Sequence, residues 1–326
     1  MMKKTIKPKL EETRAHAFEK KVYERELPKT IHENFYDQYD PDPSAVSVLG
    51  ARSTLAIGED ISTFPIDILD RNILVGDHYV PIRIYQTTDQ KKNVIYYIHG
   101  GGFIAGTIAS KDAQCKYLAQ MSDATVISVG YRLSPETMFP GAIDDCMGIL
   151  AWIQTLGYDH ICIMGDSAGG NLAACCMAKD DNHVIDYGIL IYAALDVATY
   201  DETEYHWNYD FYEMANEQKD RIMNRLYRFR NLSIDMKKMY VPEHKDVKDP
   251  DISPLYIEDL SNFPPILMIE AEFDYYRICN EIFEKRLPEV EVLYYEGLDH
   301  GFFDRIGQLE QAKDCIDEIA KRVKAL

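Results

Sequence analysis

The chain contains 326 residues, 46% of them hydrophobic, and its 35 basic against 54 acidic residues give a formal net charge of −19. This length and composition predict a globular protein with one large domain or two ordinary ones and exclude a disordered chain. The negative charge repels a phosphate backbone, so we expect no nucleic-acid partner, and no apolar run approaches the ~18 residues of a membrane span.

The start of the chain and the cysteines indicate the compartment. The basic residues after Met1 and Met2 are followed by further charged residues and not by an apolar stretch, so no secretory signal is predicted. The seven cysteines fall mostly in apolar helix or strand patterns, and no pair has CxxC spacing. We therefore expect a cytoplasmic protein, without disulfides or a metal site, whose thiols are buried and reduced: Cys115, Cys146, Cys162, Cys175, Cys176, Cys279 and Cys315.

Residues 1–55 are rich in charge, with helical patches such as 11–25, and are predicted to form an N-terminal cap segment. From about residue 62 onwards short apolar runs recur, and the central ones are continuously hydrophobic, as is typical of strands covered on both faces. The predicted strands are residues 64–69, 80–86, 93–98, 124–129, 161–164, 187–192, 265–270 and 290–295.

Helical patterns alternate with the strands from the third strand onwards. Residues 140–156 place Ile143, Leu150 and Ile153 on one face, and residues 309–326 show a similar pattern. This alternation predicts an α/β fold whose eight-stranded, mostly parallel sheet carries helices on both faces. The first two runs are too close together for a helix between them, so the sheet is expected to start antiparallel.

Three consecutive glycines follow the predicted strand 93–98, in the sequence His99-Gly100-Gly101-Gly102-Phe103. Without side chains, their N–H groups can point at an anion that forms on a substrate, and an HGGG-type loop supplies part of the oxyanion hole in lipases and esterases. A flexible loop or a phosphate-binding loop is the alternative. A P-loop requires Gly-Lys-Ser/Thr after the glycines, however, and Phe103-Ile104-Ala105 has none.

A serine stands at the tip of the next motif, Gly165-Asp166-Ser167-Ala168-Gly169-Gly170. An apolar run precedes it, and Asn171-Leu172-Ala173-Ala174 is typical of a helix start. Strand, tight turn and helix are the context in which G-x-S-x-G forms a nucleophile elbow. Glycine is expected on both sides of Ser167 because a Cβ there would collide with the returning helix.

Residues 197–250 interrupt the alternation and are predicted to be a cap insertion, with a helix over 218–229. The two flanking regions, 56–196 and 251–326, then form one core. The insertion contains an aromatic cluster around Trp207, within residues 205–212. This cluster either lines an acyl pocket or forms the core of the cap, and the sequence leaves both interpretations open.

The remaining catalytic candidates lie near the C-terminus. In α/β-hydrolases the nucleophile is followed in the chain by the acid and then by the histidine. Asp274 comes just after the predicted strand 265–270, and His300 is the only histidine after it. Asp299 and Asp304 are rival acids, but Asp274 is preferred because the end of a separate strand can hold a carboxylate against the far side of the imidazole.

Together with Tyr131-Arg132-Leu133-Ser134-Pro135-Glu136 and Ser253-Pro254-Leu255, these motifs resemble the hormone-sensitive-lipase-like carboxylesterases, which include bacterial acetyl esterases, over about residues 60–326. The resemblance implies an α/β-hydrolase fold with a helical cap. It also implies the site residues: Ser167 as nucleophile, His300 as base, Asp274 as orienting acid, and the N–H groups of Gly101, Gly102 and Ala168 as the oxyanion hole. Phe103 and Trp207 are the predicted substrate-binding residues.

The chain also departs from this family pattern. Ser134 stands where the family usually has alanine, Glu272 where it has glycine, and Tyr275 and Tyr276 where it has proline and leucine. The last three flank the predicted acid, so the shape of that loop and of the pocket beside it is expected to differ. Arg132, Glu136 and Asp145 are interpreted as structural ion-pair residues near the site.

The function implied by the resemblance is that of a serine carboxylesterase for short- to medium-chain acyl esters, which needs no metal or organic cofactor. The expected partner is a small-molecule ester. An amidase or peptidase and an acyltransferase use the same triad and remain alternatives, as does a small-molecule receptor, although receptors with this fold lack the working histidine. The natural ester and the oligomeric state, including a homo-oligomer, are not fixed by the sequence.

Overall fold

A computed structural model describes residues 3–6, 16–22, 48, 52, 58–87 and 92–326. Within these residues, strands β1 to β10 form one ten-stranded sheet in the order β1-β2-β10-β9-β8-β7-β5-β6-β4-β3. The strands are β1 (Lys3–Ile6), β2 (His16–Val22), β3 (Asp67–Val75), β4 (His78–Gln86), β5 (Asn93–Ile98), β6 (Thr125–Val129), β7 (His160–Asp166), β8 (Tyr187–Ile191), β9 (Ile266–Ala271) and β10 (Val290–Tyr295).

The sheet has an antiparallel start and a parallel body. β3 and β4 pair antiparallel around a turn at Gly76, where φ is +59°, and β4 pairs antiparallel with β6. From β6 through β5, β7, β8 and β9 to β10 every pairing is parallel. The predicted α/β-hydrolase architecture, including its antiparallel start, is therefore confirmed, but the sheet has ten strands and not the predicted eight, because β1 and β2 of the N-terminal segment extend it beyond β10.

The first strand of the predicted sheet lies further along the chain than the sequence indicates. Residues 64–69 were expected, but β3 begins at Asp67 and continues through Asp70, Arg71 and Asn72 to Val75. Most of its residues are exposed because β3 is the last strand of the sheet. An edge strand held by backbone pairing tolerates polar residues that an apolar-run criterion rejects.

The described residues form six α-helices: α1 (Asp112–Ser122), α2 (Gly141–Gln154), α3 (Ala168–Ala178), α4 (Lys219–Tyr240), α5 (Arg277–Glu284) and α6 (Glu310–Val323). Helices α2, α3 and α5 contribute to the core on one face of the sheet, and α1 and α6 contribute to the core on the other. Neighbouring residues of one strand, such as Tyr96 and Tyr97, therefore enter different cores. In the described part of the chain, no helix combines the length and apolarity needed to cross a membrane.

The helix in residues 197–250, the segment predicted to be a cap insertion, is longer than expected. Residues 218–229 were predicted, whereas α4 runs from Lys219 to Tyr240. The polar Arg230 and Asn231 obscured the continuation, but Leu232 and Met236 extend the apolar face that packs on the loop after β5. The predicted helices 140–156 and 309–326 are confirmed as α2 and α6, with ends shifted by one to three residues.

The N-terminal segment contributes to the sheet. Residues 1–55 were predicted to belong to the cap, with a helical patch at 11–25. The described part of that patch, β2, is instead a strand parallel to β10, and β1 pairs antiparallel with β2. Pairing supplies the hydrogen bonds that the edge of β10 would otherwise leave open, and this outweighs a helical residue pattern. Most of residues 1–55 lies outside the described residues, so the cap assignment stays a prediction.

The cysteines follow the sequence expectation. All seven side chains are buried, and none forms a disulfide within the described part of the chain. They lie on strands and helices of the two cores, for example Cys162 on β7 and Cys176 on α3. Burial raises the pKa of the Cys162 thiol to about 12, so this group stays protonated at neutral pH.

One core position of β9 carries an acid. Glu270 is 1% exposed, and its Oε2 accepts a hydrogen bond from Asn280 Nδ2 at 3.3 Å. Its Oε1 has no hydrogen-bond partner within the described residues. Burial, followed by the charges of Glu284 and Asp274, raises the pKa of Glu270 well above its ordinary value, so the folded state holds the proton.

Glu270→Gln is therefore expected to stabilise the protein at neutral pH and to change its stability little near pH 4. The unfolded chain releases the Glu270 proton above about pH 4.3, and the wild type then loses up to about 1.4 kcal/mol per pH unit until the folded-state pKa is reached. The free energy of unfolding, measured by guanidinium denaturation across this pH range, tests the prediction. The exposed Glu289→Gln is the control, and a difference between Glu270→Gln and the wild type that does not grow with pH would contradict it.

Candidate active site

Ser167 occupies the junction between β7, which ends at Asp166, and α3, which begins at Ala168. Its φ of 55° and ψ of −121° lie in a region that side-chain-bearing residues rarely adopt. Backbone hydrogen bonds hold this conformation: the Ser167 N–H donates to the carbonyl of Ile191 at 2.9 Å, and the Ser167 carbonyl accepts from the N–H of Ala194 at 3.0 Å. The strained turn presents the hydroxyl at the carboxyl end of the sheet.

The glycines on either side of Ser167 are required by close backbone approach. A Cβ at Gly165 would lie 2.2 Å from the carbonyl oxygen of Gly169, and a Cβ at Gly169 would lie 2.0 Å from that of Ile98. Backbone atoms cannot move aside as a flexible side chain can. The elbow motif thus follows from packing of α3 against β7 and β5, as its sequence predicted.

His300 joins the other two predicted triad residues. Its Nε2 lies 2.8 Å from the Ser167 Oγ, and its Nδ1 lies 2.7 Å from the Asp274 Oδ2. Because a carboxylate only accepts, Nδ1 carries the proton, and Nε2 is free to accept from the serine hydroxyl. The structure therefore brings Ser167, His300 and Asp274 together at the ends of β7, β10 and β9.

The Asp274 carboxylate is fully buried and fixed from its other side. Its Oδ1 accepts the N–H of Tyr276 at 2.8 Å, so both oxygens have donors. Of the rival acids, Asp304 binds the Lys111 ammonium. Asp299 is buried on the histidine's own loop. The carboxylate at His300 Nδ1 is that of Asp274.

The glycine loop lies against both the elbow and the cap. Gly100 donates its N–H to Asp166 Oδ1 at 2.9 Å, and the Gly101 carbonyl accepts the N–H of Ala105 at 2.9 Å, which turns the loop back on itself. Gly101 and Gly102 have φ values of +126° and +62°. A Cβ at Gly102 would lie 2.0 Å from the Met236 Sδ of α4, so the loop and the cap helix meet at the glycines.

His99, which precedes the glycines, is a structural residue. Burial lowers its pKa to about 4, so its ring is neutral, and its Nδ1 donates to the Gly100 carbonyl at 2.8 Å. The ring stacks on Tyr131 at 4.4 Å between centroids. This position fixes the start of the loop.

The sequence did not indicate which side chain covers the imidazole. Phe229, on the cap helix α4, lies 4.2 Å from the His300 ring between centroids, and Tyr192 and Tyr276 lie 4.6 Å and 5.7 Å away. The signal was the helical spacing of Phe229, Leu232 and Met236. It was missed because the predicted helix stopped at the first of them.

The two predicted substrate-binding residues are packed in the interior. Phe103 is 2% exposed and stacks on Tyr240 with centroids 3.7 Å apart. Trp207 is 5% exposed, and its Nε1–H donates to the Tyr212 hydroxyl, which in turn donates to the Asp274 carbonyl at 2.8 Å. The aromatic cluster therefore acts as a core that connects the predicted cap insertion to residues 272–276, the loop after β9 that carries Asp274 and is called the acid loop below. A role of Phe103 or Trp207 in substrate binding stays a prediction.

The unusual residues of the acid loop have structural partners. Glu272 is buried and accepts the N–H of Gly297 at 2.7 Å, which joins the acid loop to the loop that carries His300. Tyr275 lies 5.0 Å from Trp207 and 6.1 Å from Phe229 between ring centroids. Of these departures from the family pattern, Tyr275 thus contributes to the contact between the acid loop and residues 197–250.

The predicted ion pairs are present near the site. Arg132 donates to both oxygens of the buried Asp145, with Nη2 2.8 Å from Oδ1, and Glu136 pairs with Arg52 of the N-terminal segment at 2.7 Å. Arg52 also donates from Nε to the Ile104 carbonyl at 2.8 Å, which connects this segment to the glycine loop. No cluster of side chains suited to a metal ion occurs among the described residues.

Comparison with known proteins identifies the family. Residues 95–304 match the family described as the alpha/beta hydrolase fold. The chain belongs to the α/β-hydrolase family. It is 33% identical to an arylesterase from Saccharolobus solfataricus over 68% of this chain and 70% of that protein. It is 27% identical to an ethyl acetate hydrolase from Pseudomonas putida over 76% of this chain and 79% of that protein.

A solved structure supports the same assignment. The esterase of Pyrobaculum calidifontis has a TM-score of 0.66 and 29% identity, covering 80% of this chain and 86% of that one. The resemblance to the hormone-sensitive-lipase-like carboxylesterases within the α/β-hydrolase family is thereby confirmed.

Phe229→Ala is expected to lower kcat/KM by about 2- to 10-fold, since an aromatic contact contributes about 0.5–1.5 kcal/mol. The loss reflects an imidazole that is less well held and more hydrated. Steady-state hydrolysis of a p-nitrophenyl ester measures it. Tyr227→Ala is the control, because Tyr227 lies on the same helix but is exposed and packs on Arg230. Equal effects of the two substitutions would contradict a specific role of Phe229.

Proposed function

We propose that this α/β-hydrolase is a serine carboxylesterase that cleaves short- to medium-chain acyl esters through an acyl-enzyme intermediate. The observation that carries the proposal is the placement of His300 between Ser167 and Asp274, at 2.8 Å and 2.7 Å. A hydroxyl is a poor nucleophile until a neighbouring base takes its proton, and this geometry supplies the base.

In the acylation step, Ser167 Oγ attacks the ester carbonyl carbon while its proton moves to His300 Nε2. Asp274 keeps the proton on Nδ1 and stabilises the imidazolium. The imidazolium then protonates the departing alkoxide, which leaves as the alcohol. A water molecule repeats the cycle on the acyl-enzyme and releases the carboxylic acid. No step requires a metal or an organic cofactor.

The negative charge of each tetrahedral intermediate falls on the former carbonyl oxygen. We assign its stabilisation to the N–H groups of Gly101, Gly102 and Ala168. The positive φ values of the two glycines and the position of Ala168 at the first turn of α3 support this assignment. Loss of one such donor typically costs about 10²–10³ in rate.

The proposed acyl length rests on the contents of the cap and on the relatives. Two large side chains of α4, Met236 and Phe229, lie against the glycine loop and the His300 ring. An ethyl acetate hydrolase and an arylesterase among the relatives are named for ester substrates. Both points favour a small acyl group.

Ser167→Ala is expected to reduce esterase activity by roughly 10⁴-fold or more without loss of the fold, because the remaining residues cannot form the acyl-enzyme. Hydrolysis of p-nitrophenyl butyrate and labelling by a fluorophosphonate measure the change. Ser134→Ala is the matched control: this serine is also buried, but its hydroxyl bonds only to the Thr137 carbonyl in the described residues. Activity retained by Ser167→Ala would end the proposal.

The acid is tested in the same assay. Asp274→Asn is expected to lower kcat by roughly 10⁴-fold, as loss of the orienting carboxylate does in other triads. Asp299→Asn should have a much smaller effect. A larger loss of kcat in Asp299→Asn than in Asp274→Asn would assign the orienting carboxylate to Asp299 instead.

Among p-nitrophenyl esters from acetate to palmitate, kcat/KM is expected to be highest at butyrate or hexanoate, because the bulky Phe229 beside His300 and a relative named for ethyl acetate both favour a short acyl chain. Activity of the Ser167→Ala variant gives the background. A maximum at palmitate would contradict the assigned substrate class.

Matched p-nitroanilides and added alcohols extend the assay: faster cleavage of the amide would indicate an amidase, and products dominated by transesterification would indicate an acyltransferase.

A further inference from the structure

A buried lysine, Lys111, contacts two carboxylates that lie close in the chain to Ser167 and to His300. Lys111 precedes helix α1 and is 2% exposed. Its Nζ donates to Asp166 Oδ2 at 2.8 Å and also contacts Asp304 Oδ1. The ammonium therefore joins two carboxylates that are 138 residues apart in the chain, counted from 166 to 304.

The first of these carboxylates belongs to the nucleophile elbow. Asp166 immediately precedes Ser167, and its other oxygen, Oδ1, accepts from the Gly100 N–H at 2.9 Å and from the Tyr97 hydroxyl at 2.5 Å. Asp166 consequently connects the elbow to the glycine loop. The ammonium of Lys111 holds the free side of this carboxylate.

The second carboxylate belongs to the loop that carries His300. Asp304 lies four residues after His300, in a 3₁₀-helix (Phe302–Arg305) whose two phenylalanines are buried. A shift of this short helix would move the imidazole relative to the hydroxyl of Ser167. Lys111 thus links the loop that carries the base to the loop that carries the nucleophile.

Lys111 and Asp166 are both charged in the folded protein, so an ionic attraction holds them together. Burial favours the neutral amine, but Asp166 and Asp304 outweigh it and raise the pKa of Lys111, so the ammonium persists. For Asp166, burial is outweighed by Lys111, which lowers the pKa of this carboxyl. Burial raises the pKa of Asp304. Buried ion pairs contribute little net stability compared with apolar packing, whereas their geometry is strictly defined.

We propose that Lys111 is a positioning residue for ester hydrolysis: by bridging Asp166 and Asp304, it sets the position of His300 relative to Ser167 and to the glycine loop. This inference rests on the proposed function of the triad. It assigns Lys111 no contact with the substrate, so its effect belongs in kcat and not in KM.

The test compares Lys111→Met and Asp304→Asn with Lys116→Met. Lys116 is on α1 and pairs with Asp60 and Asp112, so it matches the loss of a lysine ion pair away from the catalytic loops. Lys111→Met is expected to lower kcat by about 10²-fold, the effect of a misplacement of about 1 Å, with KM nearly unchanged. The rate constant for fluorophosphonate inactivation of Ser167 should fall in parallel, and Lys116→Met should leave both at the wild-type level.

Asp304→Asn keeps the Lys111–Asp166 pair and replaces one carboxylate by an amide of the same size, so it carries the test if Lys111→Met does not fold. It is expected to lower kcat about 10-fold at unchanged KM, as a partial misplacement would. A lowered melting temperature with wild-type kcat and inactivation rate, measured well below that temperature, would show a purely structural role and overturn the inference. Failure of the triad itself is separate: it would appear as residual activity of Ser167→Ala.

Discussion

The position of His300 depends on a constraint that no single element can satisfy. Its imidazole must meet a hydroxyl on one side and a carboxylate on the other, and these groups come from the ends of different strands. A parallel sheet meets this requirement because the carboxyl ends of its strands, with the loops that follow them, share one edge. The order of β7, β8, β9 and β10 within the sheet therefore determines which loops can meet.

The cap completes this arrangement through contacts with the same loops. Helix α4 places Met236 against Gly102 and Phe229 against His300. The aromatic cluster reaches the acid loop through the hydrogen bonds of Trp207 and Tyr212. Residues 197–250 therefore contact the loops that carry Gly102, Asp274 and His300.

Two buried carboxyl groups of this fold, Glu270 and Asp166, differ in their charge. Glu270 has one weak donor and no nearby cation in the described contacts, and it avoids the cost of a buried charge by keeping its proton. Asp166 is equally buried but ionised, because Lys111, Gly100 and Tyr97 all donate to it. The contrast has a physical cause: three donors, one of them a cation, stabilise the charge of Asp166, whereas Glu270 has a single amide donor.

The sequence by itself determined the fold class, and it predicted the tight turn at Ser167, the glycine loop and the chain order of Ser167, Asp274 and His300. Short-range patterns encode these features: apolar runs, helical spacing, and glycines where a Cβ would strike backbone, as at Gly165 and Gly169. It did not determine that α4 extends to Tyr240, that β2 pairs with β10, or that Phe229 covers His300. Nor did it reveal the bridge of Lys111 to Asp304. Those features arise from contacts between residues far apart in the chain, and only the assembled sheet and cap bring such residues within reach of one another.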